Sequence, residues 1–93
     1  MAVLAESELQ TQVAGMQGWE VRDGALEKSY DRGDFDGSMA FVNGVADAAN
    51  AADHHPDISI SWNTVTLRCV NHSAGGITEK DIEMAARSDE LAS

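Results

Sequence analysis

Three histidines carry the side chains best suited to proton transfer near neutral pH. His54 and His55 are adjacent, and His72 lies further along, beyond a stretch that alternates apolar and polar residues. Asp57 to Asn63 reads as one strand, with Ile58, Ile60 and Trp62 against Asp57, Ser59 and Ser61; Thr64 to Asn71 reads as the next, with Val65, Leu67 and Cys69 against Thr64, Thr66 and Arg68. Folded antiparallel about Asn63-Thr64, these strands bring His72 back beside the His54-His55-Pro56 corner, so the sequence spacing conceals a spatial cluster. Imidazoles that titrate near pH 7 give and take protons, as general acid/base catalysis requires. Three histidines could instead bind zinc. However, neighbours on an extended chain point to opposite sides, which makes His54 and His55 awkward ligands for one ion. The remaining alternative is three surface histidines beside a proline turn. Close carboxylates are confined to Asp53 and Asp57, and the single cysteine, Cys69, provides no thiolate cluster.

The elements around this cluster predict one α+β domain, residues 1–93, with the order α-β-β-α-β-β-α. Ser7 with Gln10 looks like a capped helix start, and Leu9, Val13 and Met16 recur at helical spacing. Trp19 to Arg22 and Ala25 to Tyr30 read as strands joined by Asp23-Gly24, a strong hairpin signal. A second helix follows Asp34, with Asp36 as its cap. Its stripe of Met39, Val42, Val45, Ala46 and Ala49 is narrow enough to meet either the sheet or another subunit, and Gly44 suggests a close packing contact. Pro56 pushes His55 toward an extended conformation. After the loop Ala74-Gly75-Gly76, Thr78 and Asp81 form the ends of a capping box, and the last helix turns Ile82, Ala85 and Ala86 inward. Both predicted strand pairs have one apolar face, as in an antiparallel sheet covered on one side. Trp62 shares the Ile58 and Ile60 face and is expected in the core.

Sixteen acidic residues against six basic ones give a formal net charge of −10, spread along the chain. That field opposes binding to nucleic acid or anionic lipid. It suits either an ordinary solubilising surface or high salt. The N-terminus lacks the basic leader of a signal peptide, and no apolar run is long enough to span a bilayer, so the expectation is a cytoplasmic protein. At 93 residues the chain buries a modest share of its surface, which favours association of subunits.

The stretch Asp53-His54-His55-Pro56, followed by Trp62, His72 and Asp81, resembles the signature of pterin-4a-carbinolamine dehydratases. Gly18-Trp19, Asp34-Phe35 and Phe41 also fit that family's pattern, so the likeness runs from about Gly18 to Leu91. The resemblance implies a four-stranded antiparallel sheet with three helices on one face, assembled into homodimers or homotetramers through sheet edges and the middle helix. It also implies a pterin substrate, with His54, His55 and His72 as catalytic residues and Asp53, Pro56, Ser73 and Asp81 as substrate-binding residues. The implied reaction dehydrates a 4a-hydroxytetrahydropterin and recycles the pterin of aromatic amino acid hydroxylases. It changes no net oxidation state and calls for no metal or other cofactor. His54 and His72 are expected to form the proton-transfer pair, with His55 orienting the substrate. Two positions depart from the pattern: Asn50 stands where the family often has an acid, and Ser73 where many members have Glu. The family's alternative use is as a non-catalytic dimerisation or assembly partner.

Overall fold

The computed structural model describes residues 2–93. Its elements follow the order α1 (Glu6–Ala14), β1 (Glu20–Arg22), β2 (Ala25–Asp31), α2 (Phe35–Ala52), β3 (Asp57–Ser61), β4 (Thr64–Cys69) and α3 (Glu79–Ala92). The strands form one antiparallel sheet in the order β1-β2-β4-β3. Leu26 and Tyr30 of β2 and Val65, Leu67 and Cys69 of β4 point from the same face into the core. There they meet Phe41, Val45 and Ala49 of α2, Met84 and Ala85 of α3, and the Leu9 and Val13 side of α1. The opposite face is polar: the Ser29 and Thr66 hydroxyls share a hydrogen bond, and Arg68 pairs with Glu27.

The β1–β2 hairpin turns at Asp23-Gly24, as the dipeptide predicts. Both residues have positive φ, at 50° and 80°, the conformation a two-residue turn of this hand requires. The second hairpin turns one residue earlier than expected, at Trp62-Asn63, with Ser61 opposite Thr64 and Asp57 opposite Arg68. Contacts with the β2–α2 connection and the first turn of α2 hold it there. The Ser38 hydroxyl donates to the Trp62 carbonyl at 2.6 Å, and the Arg32 N–H donates to the Asn63 carbonyl at 2.7 Å. The pairing shifts by two residues, which preserves the faces because strand side chains alternate with period two. Ile58 therefore still faces inward, and Val65 and Leu67 are still buried. Trp62 does not enter the core: it occupies the turn with φ 50° and is 66% exposed.

Two helix starts also differ from expectation. α1 begins at Glu6 after Ala5, with no side-chain cap, so Ser7 does not cap it. Immediately upstream, Val3 and Leu4 pair with Thr78 and Ile77, and the helix starts as soon as that extended segment ends. α2 is capped by Asp34, whose Oδ1 accepts the Gly37 N–H at 2.7 Å, and Asp36 falls inside the first turn. The α2 stripe faces this chain's own sheet: Val45 is fully buried and Ala49 nearly so. At Gly44 a β-carbon would meet Leu91 at 3.7 Å, an ordinary contact, so packing does not demand a glycine there.

Candidate active site

α2 ends on Asp53, which takes a left-handed conformation (φ 51°, ψ 42°), while its N–H and that of His54 fold back onto carbonyls of the last helical turn. This reversal carries His54 and His55 out of the helix, and buried Pro56 leads into β3. On the neighbouring strand, β4 runs into a tight turn closed by pairing of Asn71 with Gly76. The Asn71 side chain accepts the Ala74 N–H at 2.8 Å, and His72 lies on the turn itself. The two ends enclose an open depression of about 290 Å³ lined by Asp53, His54, His55, Val70, Asn71, His72 and Ser73. The expected clustering of all three histidines is therefore present. The route differs from the predicted one, because the shifted hairpin register extends to place Val70, rather than His72, opposite His55.

Each imidazole has a different partner. The His54 Nε2 lies 2.6 Å from Oδ1 of Asp81, and the His54 side chain is 11% exposed whereas that of Asp81 is fully buried. The other Asp81 oxygen accepts the Thr78 N–H at 2.7 Å and the Thr78 hydroxyl at 3.1 Å. With Asp81 as a carboxylate, an acceptor only, the Nε2 of His54 is assigned the proton and its Nδ1 is left to exchange protons with a ligand. His55 Nε2 is 3.0 Å from Oδ1 of Asn50, one turn back on α2. His72 is the most open, with Nε2 at 3.7 Å from Asp57 Oδ2 and a side chain 76% exposed.

Of the four residues expected to bind substrate, Asp53 and Ser73 line the depression, and Pro56 and Asp81 do not. Both are buried, and Asp81 reaches the site only through its contact with His54. Its signal was present in the sequence as the Thr78–Asp81 capping box, but that motif does not reveal that the second carboxylate oxygen faces a histidine. The contact of Asn50 with His55 likewise gives the substituted position a place in the site. Cys69 lies beneath the sheet surface, where burial, with the nearby Asp81 and Asp57 charges, pushes its thiol up to about 12, so it is no nucleophile at neutral pH. Among the described residues, no group of three His, Cys, Asp or Glu side chains is placed to hold a metal ion.

The sequence profile described as Pterin 4 alpha carbinolamine dehydratase matches residues 2–91. The chain belongs to this family. A relative from Koribacter versatilis (strain Ellin345), provisionally named pterin-4-alpha-carbinolamine dehydratase, is 48% identical over 95% of this chain and 94% of its own length. A relative of the same provisional name from Mycobacterium sp. (strain KMS) is 47% identical over 98% of this chain and 97% of its own. The crystal structure of a transcriptional coactivator/pterin dehydratase from Brucella melitensis superposes with a TM-score of 0.93 at 32% identity, covering 98% of this chain and 99% of that one. A pterin dehydratase-like protein identified as a RuBisCO assembly factor in the alpha-carboxysome shares the fold alone, with a TM-score of 0.65 at 24% identity over 80% of this chain and 86% of its own. The family's three-helix, four-stranded antiparallel architecture is thus the one found here. Among the described residues no helix is long and apolar enough to cross a membrane.

Proposed function

We propose that this protein dehydrates a 4a-hydroxytetrahydropterin to the quinonoid dihydropterin by histidine acid/base catalysis, recycling the cofactor of aromatic amino acid hydroxylases. The observation that carries the reading is the 2.6 Å contact of the buried Asp81 with His54, which lines a depression shared with His55 and His72. A carboxylate behind an imidazole fixes the ring's orientation and tautomer and stabilises its protonated form, so that one defined nitrogen meets the substrate.

In the reaction, the C4a–O bond breaks and the hydroxyl leaves with an added proton, as water. A ring N–H bond also breaks; its electron pair becomes the new C=N bond, and its proton passes to a base. A protonated imidazole supplies the first proton, and a neutral one accepts the second. His54 and His72 form this pair, and His55, held by Asn50, orients the pterin together with Asp53 and Ser73. No electron leaves the substrate, and the balance closes without a redox partner. The enzyme works in the cytoplasm as a homodimer or homotetramer, a setting compatible with its single free, buried cysteine.

The test is to mix the protein with a synthetic 4a-hydroxytetrahydropterin and follow formation of the quinonoid product by absorbance. The reading predicts a rate proportional to protein concentration and above the spontaneous one. A rate equal to the spontaneous one at every concentration would overturn it.

A further inference from the structure

The N-terminal segment touches the supports of both ends of the histidine site. Val3 pairs with Thr78 in an isolated antiparallel bridge, and the Leu4 N–H donates to the Ile77 carbonyl at 2.9 Å. These partners lie between the two features that hold the imidazoles. On one side, Gly76 closes the His72 turn by pairing with Asn71. On the other, Thr78 donates twice to the Asp81 carboxylate that holds His54. The Val3 side chain lies over the end of the turn: a β-carbon on Gly76 would lie 2.9 Å from Cγ1 of Val3 and 3.3 Å from its Cγ2. Gln12 of α1 adds a second tie, donating to Glu79 at the start of α3 at 3.2 Å.

Val3 itself is 47% exposed, so its contribution to the core is small. Its two γ-methyls nevertheless fill the space a β-carbon on Gly76 would need, and a β-branched side chain has little rotameric freedom to yield. The geometry points to Val3 as a positioning residue that clamps the Gly76–Thr78 segment and thereby fixes both the His72 turn and the Asp81 carboxylate orienting His54. This inference rests on the dehydratase reading for its effect on rate, whereas the clamp itself is measurable without turnover. Proton transfer needs heavy atoms within about 3 Å. A displacement of about 1 Å at reacting groups can cost about 100-fold in rate, so a small shift of this segment reaches the chemistry from outside the depression.

The experiment is a double-mutant cycle on Val3→Ala and Gly76→Ala. Gly76→Ala alone places a methyl against Val3. Val3→Ala removes both γ-methyls and leaves its own Cβ at 3.7 Å from the added one, an ordinary contact, so the double variant fits. Three quantities are read: kcat and KM for dehydration, the ring 15N signals of His54 and His72, and hydrogen exchange of the Thr78 amide. Gly76→Ala should shift both ring signals, speed Thr78 exchange and lower kcat by between several-fold and about 100-fold. The double variant should return all three toward the Val3→Ala level. Val3→Ala alone should speed Thr78 exchange, and Val3→Ile should not, which preserves the test if Gly76→Ala fails to fold. Unchanged ring signals and exchange in both single variants, or a double variant no better than Gly76→Ala, would overturn the clamp. A wild type without dehydration activity would sink the functional reading instead, and the ring and exchange data would still decide the role of Val3.

Discussion

Asp81 illustrates how a side chain outside the depression can govern one inside it. Its carboxylate is fully buried and accepts three hydrogen bonds, two from Thr78 and one from His54. Asp81→Asn keeps the volume but exchanges one acceptor oxygen for an NH2, which must then face either the Thr78 donors or the His54 ring. An unsatisfied buried donor costs about 1–3 kcal/mol, so urea unfolding should show a loss of that size. Dehydration should slow as well, because the ring loses its fixed tautomer. A variant with wild-type stability and rate would show that Asp81 neither caps nor orients. The histidines were legible because the chain has only three, and the capping box because its Thr78–Asp81 spacing is local. The partnership of Asp81 with His54 was not legible, since a capping motif says nothing about which side chain approaches the second oxygen. Asn50 was legible as a departure from the family pattern, but its contact with His55 emerges only once the helix turns are in place.

Among the elements, α3 is tied to the sheet by a polar cluster that no short motif announces. Asp89 accepts from Trp19 Nε1 at 3.1 Å, Lys28 Nζ at 2.8 Å and the Tyr30 hydroxyl at 2.5 Å, three residues of the first hairpin region far from it in sequence. Burial alone would raise the Asp89 carboxyl, but the hydrogen bonds from Lys28, Tyr30 and Trp19 outweigh it and hold it below the usual carboxylate range. Burial, followed by the bond to Asp89, pushes the Tyr30 phenol well above its ordinary value. A carboxylate depressed in the folded state contributes stability above its unfolded pKa of about 3.9 and loses it as pH falls through the folded value. The melting temperature should therefore drop on acidification below about pH 4, and Asp89→Asn should flatten that part of the curve while lowering stability at pH 7. An identical acid profile in wild type and variant would remove Asp89 from the account. Strand faces and the Asp23-Gly24 turn were legible because alternation and positive-φ dipeptides are local signals. The second turn was not, because tertiary bonds from Ser38 and Arg32 set its register, and alternation alone sent Trp62 inward.

At the scale of the whole molecule, charge and packing set two expectations. With a net charge of −10, the folded state repels itself, and salt shortens the Debye length from about 10 Å at 0.1 M to about 3 Å at 1 M. The melting temperature should rise across a potassium chloride series; a flat or falling curve would mark the acidity as ordinary surface composition. Association was expected through the α2 stripe, but Val45 and Ala49 are consumed by this chain's own core. The uncovered side of α2 instead forms, with α3, a groove of about 640 Å³ whose apolar wall (Ala48, Ala51, Ala52, Met84, Leu91) is joined by His54 and by the charged Asp47, Lys80, Glu83 and Arg87. Light scattering at micromolar concentration should show a dimer or tetramer, and Ala51→Glu should shift it toward smaller species. A monomer throughout would contradict the oligomer.

The central claim is that the clustered imidazoles perform the proton transfers of pterin dehydration. Its most direct test is the dehydration rate of wild type beside His54→Ala and His72→Ala, with circular dichroism confirming that each variant is folded. The account predicts a fall of about 10²–10⁴-fold in each variant, the range for a lost general acid or base. Wild-type rates in both folded variants would contradict it.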